Sequence, residues 1–329
     1  VSLAPAFALR DPWPWATLAG LTRLGEALGY GAVFCPEIRG RDAFAALMGL
    51  AAETTELRLA TGVVPITARE PVVTAMAAAT VQERSGGRFV LGIGAGPPRP
   101  GALEALRAQV ASLRALLGTA APARVSLALA APPPIWVAAL GPRAVRLAGE
   151  VADGVLLNWC TPERVAQARA EARGAAEQAG RDPDAVRVGV YVRACLERDE
   201  AAALAALRAA AGEYASYDAY ARQFEWIGLG DPARAAARAH AAGRPEDVPE
   251  ELVRAVCLLG DPERARRRLQ AYEQAGADVP VVYPVPAGPD PAGSVGRTLE
   301  GLAPLAGDRP RGTLSTVDTV ETRETGGGP

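Results

Sequence analysis

The sequence contains one histidine, His240, and no lysine. A Ser-His-Asp triad or a multi-histidine metal centre would have to be built around that single imidazole, while Schiff-base chemistry and the lysine-bearing phosphate loop are excluded outright. His240 itself lies in a Pro- and Gly-punctuated stretch, where a solvated surface position outweighs a catalytic one. Cys35, Cys160, Cys195 and Cys257 stand too far apart for a zinc or iron–sulfur motif. No metal site is therefore expected, and the four read as reduced, mostly buried thiols of a cytoplasmic protein. The residues left to do chemistry are Glu37, which follows an apolar run and Pro36, then Gly62-Val63, Gly94-Ala95-Gly96, and the run Ala139, Leu140, Gly141, Pro142, Arg143. Asn158-Trp159, Arg193 and Tyr283 complete the set. It is poor in acids, bases and nucleophiles. Glycines and main-chain amides suit a planar, phosphorylated cofactor that brings its own reactivity, and suit protein-borne acid–base chemistry badly.

Gly94-Ala95-Gly96 is close to a dinucleotide fingerprint, but Pro97 and Pro98 follow at once and a helix with the required close glycine cannot start there. Gly141-Pro142-Arg143 is the better anion site, because open amides at a helix start, the helix dipole and a guanidinium all favour a phosphate. The same residues also describe a tight strand-to-helix turn with a solvated arginine, and their spacing does not choose between the two. For Glu37, spacing alone favours pairing with Arg39 or Arg41 over hydrogen bonding a cofactor ring edge or moving a proton. Trp159, Trp226 and Tyr283 fit an aromatic substrate wall, but core or rim packing is the commoner fate of any one of them.

Residues so scattered need a scaffold to bring them together. A short β-rich run followed by an amphipathic Ala/Leu/Arg-rich run recurs along the chain, the pattern of parallel strands joined by crossover helices. Strands are expected at 1–7, 32–35, 57–64, 88–93, 134–139, 155–158, 186–192 and 279–282, with 125–130 an incomplete excursion. Helices between them open at Asp42, Pro71, Gly141-Pro142, Thr161-Pro162 and Asp261-Pro262, and one is expected to run from Glu200 to about Phe224. The pattern predicts an α/β fold, a closed (β/α)8 TIM barrel. The barrel domain spans 1–306 with a helical insertion at about 226–251, and a disordered tail covers 307–329. In such barrels chemistry gathers where the strands end, which is where the glycine groups, Glu37, Asn158, Arg193 and Tyr283 fall. Thirty-five basic and thirty-seven acidic side chains give a net charge of -2. That is too little positive field to hold a nucleic acid, and neither a transmembrane span nor a signal peptide is expected.

Two blocks of sequence, taken together in order and spacing, resemble the bacterial luciferase-like family of flavin- and deazaflavin-dependent oxidoreductases. The first runs from Leu28-Gly29-Tyr30 through Glu37, Gly40-Arg41-Asp42, Ala60-Thr61-Gly62-Val63 and Arg69-Glu70-Pro71 to the stretch 85–96. The second is 134–143 followed by 147–155. The resemblance covers roughly 1–305 and is strongest to the methylenetetrahydromethanopterin reductase-like branch. It implies a TIM barrel, coenzyme F-420 as hydride carrier, a non-prolyl cis peptide at Gly62-Val63 behind the deazaflavin ring, and a cofactor phosphate lined by Ala139 to Arg143. It further implies Gly94 and Asn158 as cofactor-binding residues, a small-molecule substrate, and a homodimer or higher homo-oligomer. Departures from the family pattern are Pro36-Glu37 where many deazaflavin members have Asp-His, Ile38 and Arg39 where flavin monooxygenases often have His-His, and Pro97-Pro98 where some relatives carry a catalytic glutamate. The expected function is hydride transfer between F-420 and a small organic substrate, with Glu37 the candidate catalytic residue. An FMN-dependent monooxygenase and a non-catalytic cofactor-binding barrel are the alternatives.

Overall fold

A computed structural model describes residues 4–10, 13–118, 125–127 and 129–304. Among the described residues, ten strand segments, all pairing in parallel, form one sheet that closes on itself. In chain order they are β1 (Ala6–Ala8), β2 (Ala32–Cys35), β3 (Arg58–Thr61), β4 (Val64–Pro65), β5 (Phe89–Gly94), β6 (Ile135–Ala138), β7 (Gly154–Asn158), β8 (Arg187–Cys195), β9 (Cys257–Leu259) and β10 (Val279–Pro284). The wall runs β1-β2-β3-β5-β6-β7-β8-β10 and returns to β1, with Val281 pairing to both Tyr191 and Ala6. Short β4 continues β3 against β5, and β9 extends the far edge of β8. This is the expected (β/α)8 barrel.

Its outer ring is α1 (Trp15–Ala27), α2 (Ala43–Glu53), α3 (Pro71–Arg84), α4 (Ala102–Leu117), α5 (Pro142–Val151) and α6 (Pro162–Gln178), completed near the C-terminus by two further helices. Between β8 and β9 lie α7 (Glu200–Ala215), α8 (Asp218–Trp226), α9 (Gly230–Ala241) and α10 (Glu250–Val256); the ring then closes with α11 (Pro262–Gln274) and α12 (Pro291–Gly301). The caps are those that the sequence announces. Asp42 Oδ1 accepts from Ala45 N at 2.9 Å, Thr161 Oγ1 from Arg164 N at 3.4 Å and Asp261 Oδ1 from Glu263 N at 2.9 Å.

Two expectations change. The helix expected from Glu200 to about Phe224 is two helices, α7 and α8, broken at Ser216-Tyr217, because Ser216 Oγ donates back to Glu213 O at 2.6 Å and closes the first helix. Residues 125–127, 129 and 130 hold no strand, since Leu91 already pairs with Ile135 and leaves no free edge between β5 and β6. The segment expected as the insertion forms α9, a short 3-10 turn and α10, and these pack with α7 and α8 around a core of their own that includes Leu207, Phe224, Leu252 and Trp159. The expected tail, 307–329, and residues 1–3 of the first strand lie outside the described residues. All four cysteines are buried, and none is in a disulfide.

Side chains alternate along each wall strand, as pleating requires. On β8, Val188, Val190 and Val192 meet the helices while Tyr191 points into the barrel. The lumen is filled by Phe34, Trp136, Tyr191 and Tyr283 facing the small Ala6, Ala8, Ala32 and Ala60. Trp136 is accommodated because β7 and β8 offer glycines beside it: a Cβ on Gly154 or Gly189 would lie 2.5 or 2.6 Å from its ring. The aromatic plug is the floor on which the mouth is built.

Candidate functional site at the barrel mouth

On the β3–β6 side the mouth is almost entirely main chain. The peptide Gly62-Val63 is cis, as the family resemblance implies. Here the register to β5 slips by one: Ala60 pairs with Val90, but Val64 pairs with Ile93. The extra residue is taken up in a bulge, and Val63 is left half-buried against the lumen core. Glycines on β5 make the room, since a Cβ on Gly92 would lie 2.0 Å from Thr61 O and one on Gly94 would lie 2.8 Å from Val63 Cγ2. The Thr61 hydroxyl donates to Gly92 O and accepts from Gly92 N, each at 2.8 Å, and pins the bulge from below. Next along the rim, Ala139 N donates to Leu156 O at 3.0 Å, and Leu140 and Gly141 lead into α5, which starts at Pro142 with no side-chain cap. Arg143 is exposed in its first turn. The amides of that turn are therefore open to an anion.

On the β7–β10 side the mouth is built of side chains. Asn158 ends β7, with Oδ1 accepting from Arg193 and Nδ2 donating to the Tyr220 hydroxyl at 2.8 Å. Trp159 follows in the left-handed region, at φ 50°, the one non-glycine there among the described residues. Gln223 Nε2 on α8 donates to the carbonyls of both Asn158 and Trp159 at 2.5 Å, so the helical layer grips this strand end. The Arg193 guanidinium is enclosed by aromatic faces, with Tyr283 at 4.0 Å, Trp159 at 4.8 Å and Tyr214 at 4.9 Å from Cζ to centroid. Burial pushes the Tyr283 hydroxyl up to about 12 and raises those of Tyr191 and Tyr220, so all three stay neutral. Across the lumen a side-chain bond also joins the two halves: the Tyr191 hydroxyl donates to Gly62 O at 2.8 Å.

Glu37 lies beside the mouth with its carboxylate fully engaged. Arg69 donates to both oxygens, at 2.6 and 2.7 Å, and Ala43 N at the start of α2 donates to Oε2 at 3.0 Å. These bonds raise the Arg69 pKa, its hydrogen bond to Glu37 being the largest cause. Burial alone would raise the Asp42 carboxyl, but the Ala45 amide and the same guanidinium outweigh it and hold it below its ordinary value. The partner of Glu37 is thus Arg69, and neither Arg39 nor Arg41 as its spacing suggests.

A sequence profile described as luciferase-like monooxygenase matches residues 5–279. The chain belongs to that family. Among curated relatives of this luciferase-like chain, the 5,10-methylenetetrahydromethanopterin reductase of Methanolobus tindarius is 28% identical over 213 residues, 59% of this chain and 65% of that protein. The chain thus spans just under two thirds of that relative. The enzyme of the same name from Archaeoglobus fulgidus is 28% identical over 302 residues, covering 83% of this chain and 90% of that protein. The solved structure of the coenzyme F-420-dependent tetrahydromethanopterin reductase of Methanopyrus kandleri superposes with a TM-score of 0.75 at 22% identity, over 92% of this chain and 98% of that one.

Within this luciferase-like barrel, Gly62, Val63, Gly94, Ala139, Leu140 and Gly141 lie at the ends of β3 to β6, Pro142 and Arg143 open α5, where Arg143 lines a groove with Leu103 and Arg107 of α4, and Asn158 ends β7 on the other half. Gly141 has a neighbour that spacing did not suggest: a Cβ there would lie 2.5 Å from the ring of Trp226. Trp226 is 55% exposed, and it caps the Cα face of that turn from α8. Tyr214, Tyr220 and Gln223 escaped sequence reading because they come from the helical layer, far from any strand end. The spacing of Gln223 and Trp226 on α8, three apart, was the available signal. Among the described residues, no helix is long and apolar enough to cross a membrane and no cluster of His, Cys, Asp or Glu suits a metal ion.

Proposed function

We propose that this chain is a coenzyme F-420-dependent oxidoreductase that moves a hydride between the deazaflavin and a small organic substrate. The observation that carries the reading is the bulge at Gly62-Val63, set against the glycines Gly92 and Gly94 of β5, on the same side of the mouth as the uncapped start of α5. Those residues fit a flat ring with a phosphorylated tail. Val63 would back the ring, and the first-turn amides of α5 with the Arg143 guanidinium would take the phosphate. When bound, the cofactor supplies or accepts the hydride. The chain's own share is positioning and exclusion of water: Tyr191 holds Gly62 O, and Trp226 with the helical layer roofs the α5 end of the rim. Glu37 already accepts three hydrogen bonds, which supports a role in fixing the loop between β2 and α2 and argues against a role as free acid or base. Relatives named as methylenetetrahydromethanopterin reductases favour a deazaflavin over FMN. We also propose a homodimer, for which exposed Val72, Val73 and Met76 on α3 supply an apolar patch.

Anaerobic titration of the full chain with reduced F-420 and with reduced FMN tests the cofactor. The expected result is saturable binding of F-420 about tenfold or more tighter than FMN. Tighter FMN binding together with oxygen-dependent product formation would overturn the reading in favour of a monooxygenase.

A further inference from the structure

Arg193 is 3% exposed at the end of β8, and among the described residues its one hydrogen bond goes to Asn158 Oδ1. No carboxylate pairs with it there. A guanidinium has several N–H donors, and burying its charge without a counter-charge is expensive. The rings of Tyr283, Trp159, Tyr214 and Tyr191, the last at 5.8 Å, offset only part of that cost. In the same cage, the Trp159 indole Nε1 is buried with no acceptor. A buried indole donor with no acceptor thus shares its cage with a charged guanidinium that makes one hydrogen bond. The β7 end that bears Trp159 is held in the left-handed region and gripped by Gln223, and Asn158 on the same strand end accepts from Arg193 of β8, so the arrangement is built and stiff. What completes it is an anionic acceptor. One unpaired positive charge matches one negative charge, and the planar fork of a guanidinium matches the two oxygens of a carboxylate better than a phosphate dianion.

We propose that Arg193 and the Trp159 indole N–H form the recognition point for the carboxylate of a small organic acid, the substrate of this mouth. The proposal deepens the function given above and rests on it only for the word substrate. Tyr191, two residues before Arg193 on β8, reaches the bulge through Gly62 O, so an acid held by Arg193 stands next to the surface assigned to the cofactor ring.

Calorimetric titration of the full chain with acetate, propionate and benzoate, each paired with its neutral amide, reads the preference directly. At least one acid is expected to bind about tenfold or more tighter than its amide. Arg193→Gln should abolish that preference, and Trp159→Phe, which keeps a ring and removes the donor, should weaken the acid about threefold to tenfold and leave the amide unchanged. Arg193→Lys, which preserves the charge should the glutamine variant fail to fold, should retain only part of the preference. F-420 affinity should stay within about twofold in all three variants. Equal binding of acid and amide, no saturable binding of any acid, or a preference that survives in Arg193→Gln or is undiminished in Arg193→Lys would overturn the proposal. Loss of F-420 affinity in step with loss of acid binding would overturn it too, by assigning Arg193 to the cofactor. Acid preference without binding of F-420 or FMN would sink the proposed function and leave this inference standing.

Discussion

The two halves of the mouth solve the same problem with opposite means. From β3 to β6 the surface is shaped by what is missing: Gly62, Gly92 and Gly94 have no Cβ, and the bulge occupies the space. From β7 to β10 it is shaped by what is present: an arginine, an asparagine, a tryptophan and tyrosines held by α7 and α8. The first arrangement suits a ligand recognised by its flat shape, and the second suits one recognised by charge and hydrogen bonds. A mutation therefore acts differently on each side. Adding atoms damages the first, whereas removing atoms damages the second.

The largest expected effect lies on the glycine side. Gly92→Ala places a methyl group against the Thr61 carbonyl oxygen, a main-chain atom that cannot rotate away. It should cost about 3 kcal/mol and abolish cofactor binding, read by thermal melting and titration. A tolerated alanine would break the contrast. Glu37→Gln should come next, at about 2 kcal/mol, because it leaves Arg69 only the half-exposed Asp42 as a carboxylate partner, in a site where the Arg69 and Glu37 side chains are mostly buried. If Glu37 only fixes the loop, the pH profile of turnover should be unaltered, and a lost limb would restore it as a proton carrier.

Tyr191→Phe cuts the side-chain bond across the lumen and should cost about 1 kcal/mol. Gly62→Ala alone puts a Cβ 1.9 Å from the Tyr191 hydroxyl, so the double variant should be less damaged than the sum of the two singles. Strict additivity in that cycle would show that the halves do not communicate through this contact.

Alkali should separate the halves more gently. Burial raises Cys257 to about 12 from an ordinary 9.0, Cys195 to about 11 and Tyr283 to about 12. Each is a neutral acid whose folded value lies above its unfolded one. Its contribution is therefore complete below about pH 9 and is lost as pH climbs toward 11–12. Urea unfolding midpoints should be flat near neutrality and fall above about pH 9, with the fluorescence of the Trp159 side changing first. The smallest effect belongs to Trp226→Ala. With the ring 55% exposed, stability should shift by less than about 1 kcal/mol, while Gly141→Ala should become harmless in that background because its obstacle is gone.

The barrel and the glycine arc were legible because both are local. Strand and helix periodicities, caps at Asp42, Thr161 and Asp261, and the order of short motifs are written within a few residues of one another. Glu37 was legible as a position but not in its partner, since Arg69 arrives from beyond the next strand and no spacing rule reaches that far. The break between α7 and α8 turned on one serine hydroxyl that an uninterrupted helical pattern conceals.

What the sequence determined by itself is the parallel barrel, the poverty of protein-borne acid–base groups, and the main-chain character of one half of the mouth, because glycine acts through the absence of a side chain wherever it stands. Only the tertiary structure decided the other half. A buried charge acquires its meaning from neighbours, and those of Arg193 come from β7, β10 and the helical layer, segments far apart in the chain that closure of the barrel brings together.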